Sequence, residues 1–254
     1  MIGELIPAQI FAFMLILSRI GGMVMLMPGI GEIAIPAWIK LGLAVTISAV
    51  IYPVVSPLLP AMPPMPPGLA LAIGAEAMTG LFIGGMARLL LSALHVGGTV
   101  IAFQTGLAAA QGFDPAQQSQ SAIVATFMTL IGVNLIFATN LHHLLFQAMV
   151  DSYSVFTPGN LPPVTQFSEL AITTTSKSFA VGIQIASPFL VFGLIFNVGL
   201  GLVARLMPQL QVFFIAAPAQ ILLGFAIFAA VISSTMMWFL DYFETGMSPF
   251  LVSP

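Results

Sequence analysis

Long apolar runs alternate along this chain with short polar or proline-rich breaks. Six runs reach or exceed the roughly 17–25 residues that cross a bilayer as a helix: Leu5–Met27, Leu41–Leu59, Leu69–Leu94, Ile123–Val150, Phe179–Ala204 and Val212–Leu240. The breaks carry helix-ending residues. Pro28-Gly29 and Pro36 lie between the first two runs, and six prolines crowd Pro57–Gly68, making it a stiff connector. Asp151–Lys177 is polar and holds Pro158-Gly159 and Pro162-Pro163. Met207-Pro208-Gln209 predicts a tight turn that makes the last two helices a hairpin. The pattern predicts an all-α membrane protein of about six long apolar helices. It divides into a four-helix part over 1–150, a polar connector over 151–177, and a helical hairpin with its tail over 178–254. Val212–Leu240 would reach about 43 Å at ~1.5 Å per residue, beyond a hydrocarbon core of about 30 Å. Such a helix must tilt, or leave the lipid and be covered by partner subunits.

Composition excludes the soluble alternative. Of 254 residues, 59% are hydrophobic and 5% are charged, with a mean hydropathy of +1.10. Five Lys/Arg and eight Asp/Glu cannot coat a globule of this size. The formal charge of -3 and the lack of any basic run give no basis for binding nucleic acid. With no cysteine, disulfides, thiolate metal sites and a cysteine nucleophile are excluded. The start, MIGEL, is acidic and Arg19 interrupts the apolar run, so the first run is expected to be a retained helix rather than a cleaved signal. Lys40, Arg88 and Arg205 lie near the first, third and fifth connections, with Lys177 the exception. The positive-inside rule then places both termini outside the cytoplasm.

One segment breaks the apolar pattern without becoming charged. Gly97–Ser121, GGTVIAFQTGLAAAQGFDPAQQSQS, is an insert rich in glycine, alanine and glutamine between the third and fourth runs. Irregular backbone cannot face lipid, so the insert must be buried in protein or line an aqueous path. Gln104, Gln111, Gln117, Gln118 and Gln120 supply neutral hydrogen-bonding groups, and Gly97, Gly98, Gly106 and Gly112 supply backbone freedom. Asp114-Pro115 fits a turn or helix start, after Phe113. A loop of this kind can block a pore and slide aside without breaking ion pairs. An ordinary surface loop is an equal alternative.

Arg19 and Glu76 lie within apolar runs. A central Arg costs about 2.5–3.5 kcal/mol on insertion scales and must face a bundle interior or water, so each is a candidate partner for the other. A structural pair is favoured over a proton relay. His142-His143 and Asn140 invite a metal or hydrolase reading, but adjacent histidines diverge by about 100° on a helix. His95 is the only other histidine, and no HExxH or GxSxG occurs. Hydrogen bonding between helices is the stronger reading for these residues, as for Asn134 and Asn197. Gly80 and Gly84 form a GxxxG for close helix packing, and Gly199 and Gly201 open a face on the fifth helix. Met23, Met25 and Met27 are expected to fill core, with a deformable seal as the rival.

Four stretches carry a resemblance. The run FQTGLAAAQGFDP, the following apolar helix with His142 near its close, and DSYSVFTPG resemble the flagellar biosynthetic protein FliR family of type III secretion export-gate subunits. RLMPQLQVFFIAAPAQILLG, from Arg205 to Gly224, resembles the same family's Pro-Gln turn. One departure is Gln211, where that family's pattern has Asn. The resemblance implies a non-enzymatic pore or gate subunit of the bacterial inner membrane and flagellar basal body, without cofactor or metal. Implied partners are FliP-like and FliQ-like subunits, FlhB-like and FlhA-like export proteins, and unfolded exported proteins, besides membrane lipid. It further implies that 1–150 is FliP-like and that 178–254 is FliQ-like. The pore plug would include Gly106, Gln111, Gly112, Phe113, Asp114, Pro115, Gln117 and Gln118, and a cytoplasmic turn would include Arg205, Pro208, Gln209 and Gln211. With no GxxxxGK[ST] loop, energy would come from partners. The runner-up is a secondary transporter with a broken-helix site, which predicts two matching interruptions where the chain has one. An intramembrane hydrolase is third and requires His142 or His143.

Overall fold

A computed structural model describes residues 2–107, 123–207 and 212–252. Among these residues there is no strand. The helices are α1 (Ile2–Leu26), α2 (Ala37–Val55), α3 (Pro66–Gln104), α4 (Ile123–Ala138), α5 (His142–Val155), α6 (Val164–Leu206) and α7 (Val212–Met247). Short 3-10 turns cover Ser56–Leu58 and Ser248–Phe250. Five helices are long and apolar enough to cross a membrane, or six if α4 and α5 count as one span.

Three boundaries differ from the sequence pattern, each for a local reason. The fourth run, Ile123–Val150, is not one helix but two, bent by 73° at the break between α4 and α5. Asn140 makes the break with φ 62, a left-handed conformation that its short polar side chain tolerates. The insert begins later than Gly97, because α3 continues to Gln104. Glycines there serve packing: a Cβ on Gly97 would lie 2.9 Å from Ile185 Cγ2, and one on Gly98 would lie 2.8 Å from the Ala125 nitrogen. Lastly, the polar stretch after Asp151 is largely helical. α5 runs on to Val155 and α6 starts at Val164, which leaves 156–163 as the non-helical link.

The chain forms two compact units. The first comprises Met1–Leu90, Ile136–Thr175 and Phe243–Pro254. In it α1 meets the first half of α3 almost backbone to backbone. A Cβ on Gly22 would stand 2.9 Å from the Ala77 carbonyl oxygen, one on Gly84 2.7 Å from that of Met23, and one on Gly80 would collide with the Arg19 carbonyl. This is the close approach that small residues permit between membrane helices. Phe11, Leu15 and Ala72 form a buried cluster, with Leu59, Leu69 and Ile73 packed on it. Phe82 stacks on Phe167 with ring centroids 3.7 Å apart, and Phe250 closes edge-on at 6.3 Å.

The second unit comprises Leu91–Leu135 and Ser176–Tyr242. Here α6 and α7 run antiparallel: the Ser178 and Tyr242 hydroxyls lie 2.7 Å apart, and further along Phe189 faces Phe228 at 6.2 Å between ring centroids. Gly182 approaches α3, where a Cβ would sit 2.9 Å from the Ala93 carbonyl. Asn134 and Asn197 do not reach across helices with their amide nitrogens. Each donates to the carbonyl four residues back in its own helix, Leu130 and Gly193, at 2.8 Å. Both are exposed on apolar helices, so self-satisfaction keeps their donors bonded without a neighbour. Leu194, Ile195, Val198 and Leu202 on α6 and Leu222, Leu223 and Phe225 on α7 are exposed. Only lipid or other apolar protein can cover such faces. Gly199 and Gly201 stand in that open region, with no atom within 4 Å of a built Cβ.

Candidate functional site: the root of the central insert

The last turn of α3 is fixed before the insert leaves it. The Thr105 amide and hydroxyl both donate to the Ile101 carbonyl at 2.9 Å, and Thr105 is buried. Gly106 follows with φ +75 and donates its N–H to the Phe103 carbonyl at 3.3 Å. This left-handed glycine is the usual C-terminal stop of a helix. Helix ends leave carbonyls without partners. Here Gln220 of α7 supplies one, its Nε2 donating to the Gln104 carbonyl at 2.8 Å.

Glycines on the flanking helices make room for this end. A Cβ on Gly193 of α6 would strike the Gln104 side-chain amide, and one on Gly224 of α7 would lie 2.6 Å from Thr105 Cγ2. The root of the insert is thus held by α6 and α7 through one hydrogen bond and two close backbone approaches. Beside it lies an apolar cavity of about 510 Å³, whose described lining includes Thr105, Leu107, Ile123, Phe127, Gly224 and Phe228. Leu107 and Ile123 are the described residues on either side of the insert, so the cavity opens where the insert both departs and returns. Of the plug residues, Gly106 is placed as above. Gln111, Gly112, Phe113, Asp114, Pro115, Gln117 and Gln118 lie outside the described residues. Arg205 is exposed in the last turn of α6. Pro208, Gln209 and Gln211 also lie outside the described residues.

Arg19 and Glu76 are each 1% exposed and form the single ion pair among the described residues. Arg19 Nε donates to Glu76 Oε2 at 2.6 Å and Nη2 to Oε1 at 3.1 Å. Nη1 donates to the Ser152 carbonyl at 2.7 Å, and both terminal nitrogens reach the Phe156 carbonyl at 3.3 Å. The Tyr153 ring lies 4.2 Å from the guanidinium carbon. Glu76 Oε1 also accepts the Gly159 N–H at 2.7 Å. Every N–H donor of the guanidinium therefore has an acceptor, the condition under which a buried charge is tolerated. The network ties α1, α3, α5 and the 156–163 link into one polar knot. The carboxylate is bonded twice to Arg19 and once to backbone, the arrangement of a structural pair.

His142 stacks on Phe137 at 5.1 Å and lies 4.3 Å from the His143 ring. No group of three metal-ligating side chains occurs among the described residues. Residue types alone could not reveal the knot's remaining partners. Ser152, Phe156 and Gly159 contribute mostly backbone groups, which leave no mark in sequence. Gln220 did carry a signal, as a lone amide in an apolar run.

Helices of this length and exposure, with buried charge among the described residues confined to a satisfied pair, define a multi-pass helical membrane protein. The family described as bacterial export proteins, family 1, matches residues 10–246, and the chain belongs to that family. Flagellar biosynthetic protein FliR of Caulobacter vibrioides is 39% identical over 236 residues, spanning 93% of this chain and 94% of the relative. FliR of Escherichia coli is 29% identical over 218 residues, 85% and 82% of the two chains. Yop proteins translocation protein T of Yersinia pestis is 25% identical over 223 residues, 87% and 85%. With these relatives the chain is a subunit of the type III protein-export class.

Proposed function

We propose that this chain is a non-enzymatic pore subunit of the flagellar export apparatus in the bacterial inner membrane, at the flagellar basal body. Gly106–Ser121 closes the channel, and Arg205–Gln211 forms a turn at its cytoplasmic mouth. The chain assembles with FliP-like and FliQ-like subunits and works with FlhB-like and FlhA-like proteins to pass unfolded substrates. Residues 1–150 play the FliP-like part, 151–177 connect, and 178–254 form the FliQ-like hairpin.

The observation that carries this reading is the anchored root of the insert. A plug needs a fixed base and a free-moving body, and the base here is held by Gln220, Gly193 and Gly224 around Gln104–Gly106. Two further features support it. α3 and α6, at about 58 and 64 Å by helical rise, are about twice a hydrocarbon core. The apolar faces of α6 and α7 suit burial against other apolar subunits. Deleting Gly106–Gln111 in the assembled complex tests the plug. The expected result is leakage of small solutes across the membrane; a complex that stays tight overturns the reading.

A further inference from the structure

The start of α2 presents features that closing a channel does not require. Trp38 is 74% exposed at the first turn of a span-length helix. Exposed tryptophans at helix ends sit at the headgroup level of a bilayer. Two residues on, the half-buried Lys40 donates to the Gly31 carbonyl at 3.0 Å. This is the ammonium's one hydrogen bond among the described residues, where neither Lys40 nor Glu32, close by in the preceding loop, makes an ion pair. An ammonium has three donors, so Lys40 keeps two for another acceptor.

Below Lys40 a groove of about 300 Å³ runs between α1, α2 and α3. Leu17, Gly21, Met25, Leu41, Ala44 and Leu81 line it, and Lys40 is its one charged residue. The small residues are what open it: a Cβ at Gly21 meets no atom within 4 Å. From Met25 to Leu17 the groove descends about 12 Å along α1 by helical rise, away from the headgroup level and into the apolar depth. A cation at the interface above an apolar slot matches an amphiphile with an anionic head and a hydrocarbon tail.

We infer that the groove under Lys40 holds one acyl chain of an anionic phospholipid whose phosphate is bound by the Lys40 ammonium. The exposed indole at the same level favours lipid over a protein partner, because its position reads as the bilayer interface. The inference is independent of the gating reading and holds whether or not the insert is a plug.

Quenching of Trp38 by phospholipids with brominated chains tests it. The chain has two tryptophans, so W238F leaves Trp38 as the reporter. The full chain with W238F is reconstituted in phosphatidylcholine, and brominated phosphatidylglycerol or brominated phosphatidylcholine is titrated in. The expected result is half-maximal quenching at about five-fold lower mole fraction of the anionic lipid, the preference one lysine beside an anionic surface supplies. K40Q should remove that preference and K40R should keep it. G21L, which fills the slot, should weaken quenching by both lipids. Inorganic phosphate at matched ionic strength, lacking a chain, should leave quenching unchanged. Equal quenching by both lipids, or a preference that survives K40Q, overturns the inference. So does loss of quenching when the chain is co-purified with its partner subunits, which would assign the groove to a protein instead.

Discussion

Replacing Arg19 by Met would remove the cation of a pair that is 1% exposed on both sides. Glu76 would keep the Gly159 N–H as its one hydrogen-bond partner among the described residues. Breaking a buried pair from one side typically costs about 3–5 kcal/mol, because the remaining charge is uncompensated. Against a folding stability of about 5–15 kcal/mol, that is a large share. Replacing both residues, as in R19M/E76L, removes the stranded charge. It leaves the Gly159 N–H without its acceptor and the Phe156 carbonyl without its donors, at about 1–3 kcal/mol each if they stay dry. The double variant should therefore fall short of the sum of R19M and E76L, by about 4 kcal/mol at the middle of these ranges. Denaturant unfolding of the four purified proteins in one detergent measures this, with the monodisperse fraction by size exclusion as a check on folding. Single effects that add to within about 0.5 kcal/mol would refute the claim that the two residues act as one unit.

Other perturbations follow from the same geometry. G80L should cost more than the ~1–3 kcal/mol usual for overpacking, because the Cβ itself meets backbone, whereas G199L, with no atom within 4 Å of its Cβ, should shift the melting point of the isolated chain little. Thermal melts of the two variants side by side decide this, and equal losses would contradict the packing described for α1 and α3. Q220L should remove the 2.8 Å bond to the Gln104 carbonyl at a cost of about 0.5–1.5 kcal/mol. In the assembled complex it should raise small-solute leakage without lowering the amount of assembled chain. Normal tightness would separate the Gln220 contact from closure.

The helices were legible because lipid imposes a simple rule: a span must be apolar for about 20 residues, and the family and the all-helical fold agree with it. Boundaries were less legible. Nothing in the apolar run Ile123–Val150 announces a bend, since Asn140 reads as one polar residue until its positive φ is seen. The stretch Val164–Lys177 is rich in threonine and serine, poor helix formers, yet it is helical as the start of α6. Likewise Gly97 and Gly98 read as flexible but are packed against Ile185 and Ala125. Arg19 and Glu76 could be singled out because charge is rare here. Their backbone partners could not, since every residue carries the same N–H and C=O. The root of the insert depends on Gln220, more than a hundred residues from Gln104 in sequence, and such a pairing emerges only from the fold.

The central claim is that the insert faces an aqueous passage and is screened from acyl chains. Because the chain has no cysteine, a cysteine placed at Asp114 carries a single environment-sensitive fluorophore. In the assembled complex, reconstituted in liposomes, the account predicts quenching by a small water-soluble quencher and none by nitroxides attached along lipid chains. Quenching by the lipid-borne nitroxides would put residue 114 against the bilayer and contradict the account.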